Sequence, residues 1–421
     1  MRRHASIAML AGIALGLAAC GHAGGPGKPS EVKIAGLWPL SGANATQGTD
    51  VLHGAELAVD IVNGTYQLDL PLVREAGLPG LGGAKLKLVT GDTQGKPEVG
   101  ASEVDRLVTN EGVAAVVGSY QSGVTLTASQ RAERLGVPFV NGESSSTALT
   151  ERGLKWFFRT GPSDETFAST MFDYLDAQKQ KGSQVRTFGV LHTNDQYGND
   201  GATVTKKVAA ERGLQLATDV AFDATAADLA SQVTQVRAKQ PDVLFVLAYT
   251  DAGIKLMKTF DQLRYYPPSL LAYGAGFSDP AFLKALGTSA DGAATRAAWA
   301  ADIAQKNPAA KAIAEMFQQR YNAPMTENSA RSFTAILALA QAINNAKSTK
   351  PGAIRDALVA LHVPAAQTIM PWKGIAFDSH GQNTQAQGVV QQLVGGQYKV
   401  IFPEEFASTP AVWPMRPGAT K

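Results

Sequence analysis

A rotation of short apolar strand, Gly- or Ser-rich turn and amphipathic helix runs through this chain, and it leaves few architectures open. Val32-Lys33-Ile34-Ala35-Gly36-Leu37 reads as a strand that stops at the turn Pro39-Leu40-Ser41-Gly42. Ala55, Leu57, Ala58, Ile61 and Val62 then recur at the spacing of one helical face. The same order returns with strand Leu86–Val89 and helix Val99–Val108, then strand Val113–Val117 and helix Leu126–Leu135, then strand Pro138–Val140. Such a rotation argues for an α/β fold, with a parallel sheet wound by helices on both faces.

A second run begins after Arg159-Thr160-Gly161-Pro162. Helices at Thr166–Leu175, Asn199–Arg212, Leu229–Ala238 and Ile254–Leu263 alternate with strands at Arg186–Leu191, Leu214–Phe222, Val243–Leu247 and Leu270–Ala272. Two βα series mean two lobes of similar build. Two long helices, Lys311–Tyr321 and Ser329–Asn345, and a strand-like Val389–Val394 follow. These are too few for a third lobe, so they complete the first two and the chain crosses between lobes more than once. The expected division is 31–159 with 300–385 for one lobe, and 160–299 with 386–421 for the other. The aperiodic stretch between Asn63 and Ala84 reads as a surface insertion.

The first residues read as an export signal. Arg2 and Arg3 precede an apolar run from Ala5 to Ala14 that is too short to span a bilayer, and Leu17-Ala18-Ala19-Cys20 follows. That ending resembles the lipobox of bacterial lipoproteins, which implies a signal peptide over 1–19 and lipidation of Cys20. Two or three acyl chains anchor stably where one does not. Residues 20–30, rich in Gly and Pro, form a tether. Cys20 is the only Cys, so the body has no disulfide and no Cys-based metal site.

Composition narrows the function. Loss of Arg2 and Arg3 takes Lys+Arg from 38 to 36, against Asp+Glu 36. A net charge near zero argues against nucleic acid and against an electrostatic coat on membranes. No later apolar run reaches the length of a membrane helix.

Ligands of open α/β sheets sit outside the carboxyl ends of the strands. Those ends carry Ser41, Gly42, Asn44, Thr46 and Gln47, then Ser119, Tyr120, Gln121 and Ser122, then Asn141, Glu143, Ser144, Ser145, Ser146 and Thr147. In the second series they carry Asn194, Asp195 and Tyr197, then Tyr249, Thr250 and Asp251, then Tyr273 and Gly274. Uncharged donors and acceptors with a few aromatics suit a small polar solute with an apolar part. Individually, many of these residues are equally well explained as helix N-caps. Trp38 reads as core.

The segments KIAGLWPLSG, VAAVVGSYQSGVTLTAS, VPFVNGESSSTALTERG with FFRTGPSD, and FGVLHTNDQYGNDG resemble one family. It is the leucine/isoleucine/valine-binding group of type I periplasmic binding proteins, the branched-chain amino-acid receptors of ABC transporters. The resemblance runs from about Val32 to Val394. It implies two Rossmann-like lobes with parallel sheets, joined by a three-stranded hinge and closing on a small-molecule ligand. It also implies a monomer without a cofactor, at the periplasm or cell surface, whose partners are the permease subunits of a transporter.

By the same resemblance, Ser122 holds a ligand carboxylate, Glu143 and Ser145 add contacts, Tyr197 closes over the ligand, and Gln47 forms a side wall. Relatives that bind α-amino acids place an acid after the second lobe's last strand, where this sequence has Ala275. Glu143 replaces a small residue, so a carboxylate moves to the other lobe, and Asp251 is a further candidate partner for an ammonium. Arg331, near the start of a late helix, is either a solvated charge or a partner for Glu143 or a ligand acid.

An enzyme is the competing class. There is no Gly-x-Ser-x-Gly elbow, His-Glu-x-x-His, P-loop or complete Gly-x-Gly-x-x-Gly. Ser30 and Lys33 satisfy Ser-x-x-Lys only at the tether, and the six His residues are scattered. A sensory lipoprotein that uses the same fold to control a membrane or cell-wall partner is the third class.

Overall fold

A computed structural model describes residues 28–416. The signal peptide, Cys20 and most of the tether lie outside the described residues. The first lobe opens with β1 (Glu31–Trp38), α1 (Ala45–Asn63), β2 (Lys85–Asp92), α2 (Pro97–Asp105), β3 (Val116–Gly118), α3 (Ser122–Leu135), β4 (Phe139–Asn141), α4 (Ala148–Glu151) and β5 (Phe157–Arg159). Then come α5 (Asp164–Gln180), β6 (Thr187–Thr193), α6 (Gln196–Glu211), β7 (Gln215–Phe222), α7 (Ala230–Lys239), β8 (Val243–Leu247), α8 (Thr250–Gln262), β9 (Ser269–Ala272), α9 (Pro280–Leu286) and β10 (Ala294–Ala297). The chain ends with α10 (Ala301–Ala304), α11 (Pro308–Tyr321), α12 (Glu327–Ala346), α13 (Pro351–Val359), β11 (His362–Pro364), β12 (Gly374–Ala376), β13 (Val389–Val394) and β14 (Gln397–Phe402).

Two sheets organise these elements. One has the order β2-β1-β3-β4-β5 and is parallel throughout. The other has the order β14-β13-β10-β9-β8-β6-β7, parallel from β10 to β7, with β13 and β14 added antiparallel at the far edge. A parallel sheet covered on both faces needs apolar residues at every strand position. In β1, Ile34 and Trp38 enter one core while Ala35 and Leu37 enter the core on the opposite face. In β8, Val243, Phe245 and Leu247 point one way and Leu244 and Val246 the other. Each fully buried side chain of this kind contributes about 1.5–3 kcal/mol, so continuous runs such as VLFVL are the strongest determinants of the fold.

Helices α1 and α12 pack together over the first sheet, although α12 starts more than 260 residues after α1 ends. Gly54 permits the contact: a Cβ there would lie 2.1 Å from the Ser329 carbonyl oxygen. The chain changes sides three times, between β5 and α5, between β10 and α11, and between β12 and β13.

Two sequence expectations differ from the structure. Helix α3 starts at Ser122, four residues before its apolar periodicity becomes visible. The stretch after Asn63 is docked and not a loose insertion. Leu70, Val73, Leu78 and Leu81 are buried in the first lobe's core, and the Gly80 amide donates to Asn344 Oδ1 at 2.8 Å.

Candidate functional site

In each sheet the chain reverses its direction of strand addition beside the first strand, at β1/β3 and at β6/β8. The carboxyl ends at those reversals are where crevices open in doubly wound sheets. Here the two sets of ends face each other across a small cavity. The first lobe lines it with Tyr120 and Ser122 after β3, with Glu143, Ser144 and Ser145 after β4, and with Asn328 and Arg331 from the first turns of α12. The second lobe contributes Tyr197, Tyr249 and Ala275 after β6, β8 and β9, and Arg296 from within β10.

Local structure explains several of these placements. Ser122 is the first residue of α3, and the first intrahelical bond runs from the Thr125 amide to the Gln121 carbonyl. The preceding amides have no helical acceptor, so this end of α3 carries partial positive charge. Ser144 fixes two turns against each other, its hydroxyl reaching the Ser119 and Tyr120 carbonyls at 2.9 and 3.0 Å and Thr125 Oγ1 at 2.7 Å. Tyr197 donates its hydroxyl to the Tyr273 carbonyl at 3.0 Å, which locks its ring 5.2 Å from that of Tyr249.

The electrostatics of the site are unusual. Glu143 is 5 % exposed, and both its carboxylate oxygens are buried without a hydrogen-bond partner among the described residues. Burial pushes its carboxyl from the ordinary 4.5 up to about 7, with Arg331 pulling the other way. Arg331 is itself buried and is no solvated helix charge. Its Nε donates to the Gly142 carbonyl at 2.8 Å and its Nη2 to the Glu143 carbonyl at 2.6 Å. It therefore holds the turn that carries Glu143 through the backbone. Burial lowers the Arg331 value, and the nearby Glu327 partly restores it. The Tyr120 hydroxyl is also buried without a partner, and desolvation keeps the phenol protonated.

The remaining candidate residues lie outside this lining. Ser41 is exposed and donates to Asp92 Oδ2 at 2.6 Å, tying the first turn to the end of β2. Gln121 is the N-cap residue of α3 and is buried. Asp251 is exposed in the first turn of α8. Asp195 caps α6 through the Gly198 amide at 2.9 Å, so the capping explanation holds for it. Gln47 and Thr250 meet across the lobes instead: Gln47 Nε2 donates to Thr250 Oγ1 and to Asp279 Oδ2, while Thr250 donates to Asp279 at 2.7 Å. On another side, Ser146 donates to Asp200. These contacts tie the lobes together in a closed arrangement.

Tyr249, read from the sequence as a strand-end residue, lines the cavity, as do Arg296 and Asn328, which the sequence reading did not name. Arg296 gave no signal, because Ala-Thr-Arg-Ala lacks the apolar character of a buried strand. Among the described residues there is no cluster of three or more His, Cys, Asp or Glu that could hold a metal, and no helix long and apolar enough to cross a membrane.

Residues 31–397 match the periplasmic binding protein family. The chain is 27% identical over 390 residues to a Leu/Ile/Val-binding protein homolog of Brucella abortus, covering 90% of this chain and 92% of that one. Among solved structures it is similar to the branched-chain amino acid transporter substrate-binding protein LivJ of Streptococcus pneumoniae in complex with isoleucine. The TM-score is 0.74 at 20% identity, covering 89% of this chain and 100% of that chain. It is also similar to a solute-binding protein of an ABC transporter from R. palustris in complex with benzoate. There the TM-score is 0.73 at 18% identity, covering 91% and 98%. Both structural likenesses are likenesses of fold.

Proposed function

Because this chain belongs to the periplasmic binding protein family, we propose that it is the extracytoplasmic solute-binding lipoprotein of an ABC importer. It captures a small polar organic solute, an amino acid, amide or related compound, by closing two lobes around it. The observation that carries this reading is the cavity between the carboxyl ends of the two sheets. Both lobes wall it, and the buried Glu143 and Tyr120 keep polar atoms without protein partners there. Buried polar groups are normally paired, and a solute supplies what these lack. The relatives' names agree in kind: one is called a Leu/Ile/Val-binding homolog, one holds isoleucine and one holds benzoate. The chain acts as a monomer, and its partners beyond the solute are the permease subunits.

The test is a thermal-shift screen over amino acids, amides and carboxylic acids, followed by calorimetry and scattering. A solute at 100 times its Kd is expected to stabilise the protein by about 2.7 kcal/mol. It should bind one per chain, be recovered unchanged, and reduce the radius of gyration. Chemical conversion of the bound solute, or no stabilisation by any compound, defeats the proposal.

Lipid anchoring rests on Leu17-Ala18-Ala19-Cys20 alone. Cys20→Ala is expected to leave the protein unlipidated, either uncleaved or released in soluble form. Retention of this variant in carbonate-washed membranes at the wild-type level contradicts the anchor.

A further inference from the structure

The cleft's charge is set by a residue that neither the spacing of motifs nor the family resemblance singled out. Arg296 comes from β10 of the second lobe and is 2 % exposed. Its guanidinium carbon lies 3.8 Å from the centroid of the Phe167 ring, so an aromatic face fixes its plane. Its Nε and Nη1 are buried with no hydrogen-bond acceptor among the described residues. Glu327 forms a buried ion pair with it, Nη1 standing 3.7 Å from Oε2, too far for a hydrogen bond. Glu327 already accepts from Ser278 Oγ at 2.6 Å and the Ala298 amide at 2.8 Å. A planar fork of donors, buried and without a hydrogen-bond acceptor on the cavity wall, matches a carboxylate.

The surroundings agree. Gly274 leaves the room: a Cβ there would lie 2.6 Å from Arg296 Nη1. The next residue is Ala275, which brings no carboxylate to the second lobe's wall. Asp279 is engaged by Thr250, Gln47 and the Ala281 amide, and Asp251 faces solvent. The charged groups of the lining are two guanidiniums, Arg296 and Arg331, against one carboxyl, Glu143. An ammonium at the second lobe's part of the lining would meet the Arg296 cation and no carboxylate of that lining, a costly arrangement.

We propose that Arg296 determines the specificity of this cleft by binding the anionic end of an organic acid that carries no ammonium group. The inference rests on the solute-binding reading and narrows its ligand class. Tyr120, Tyr197 and Tyr249 enclose the apolar body of that acid, and Glu143 meets a polar substituent on it.

The test compares leucine with its ammonium-free counterpart 4-methyl-2-oxopentanoate, and adds benzoate and glutarate, by calorimetry on the ligand-free protein. At least one of the three acids is expected to bind about 100-fold more tightly than leucine, and Arg296→Gln to weaken that acid by about 100-fold or more. Arg296→Lys should recover part of the loss, since it restores the charge without the fork. Ala275→Asp guards against a folding defect. It sets a carboxylate beside Arg296, in a left-handed conformation that Asp tolerates, and should shift the preference toward leucine by about tenfold or more.

Leucine binding wild type more tightly than every acid, or an acid whose affinity survives Arg296→Gln, overturns this inference and leaves solute binding intact. Failure of all amino acids, amides and acids to bind defeats the solute-binding reading and the inference with it.

Discussion

Replacing Arg331 with methionine is expected to destabilise the protein by about 3–5 kcal/mol, the loss seen when one member of a buried charged network is removed. The side chain is 2 % exposed, and its two donors satisfy the carbonyls of Gly142 and Glu143. Methionine fills much of the volume, so the loss comes from two buried carbonyls left without donors, at about 1–3 kcal/mol each. The cation that favours ionised Glu143 disappears as well. Lysine should not rescue the variant, because a single ammonium cannot span two carbonyls as a planar fork does. Urea unfolding reads the cost, and amide exchange over 141–146 locates it. A variant within 1 kcal/mol of wild type would mean that α12 does not hold this turn.

That result would also explain why the site was only partly legible in the sequence. The strands after which cleft residues fall are short apolar runs, and both sheets keep their polar residues at the carboxyl ends. Tyr120, Ser122, Glu143, Ser144, Ser145, Tyr197 and Ala275 could therefore be placed near one crevice from pattern and resemblance alone. Arg331 could not be oriented, because helical spacing says which residues share a face and nothing about what that face meets. Its partners lie 188 and 189 residues away along the chain.

Long-range contacts hid other features for the same reason. Gln47 looked like a side wall of the ligand site, yet it reaches Thr250 and Asp279, 203 and 232 residues on, across the closed lobes. Arg296 sits in a strand of small residues whose membership in the sheet is decided by its neighbours β9 and β13. Local propensity is weak evidence where such tertiary pairing dominates. The docked stretch after Asn63 is similar: its four buried apolar residues have no period, because they join the first lobe's core from an irregular segment and not from one face of a regular element.

Glu143→Gln is expected to stabilise the ligand-free protein at alkaline pH and to leave it unchanged in acid. Glu143 has an ordinary carboxyl value of 4.5 when unfolded and about 7 when folded, because burial disfavours its charge. The folded state thus holds the proton more tightly, and wild-type stability falls as pH rises between those two values. Above about pH 7 the full cost is present, on the order of 3 kcal/mol at 1.36 kcal/mol per pH unit. Glutamine has the shape of the protonated acid and cannot ionise, so the variant escapes this loss. Asp50, raised to about 6 by its own burial, titrates over the same range. It is present in both proteins and cancels in the comparison to first order. Urea midpoints of wild type and variant should therefore separate progressively from pH 4.5 to 8.5, with the variant the more stable. A difference that stays constant over that range would show that burial does not raise the Glu143 carboxyl in the protein.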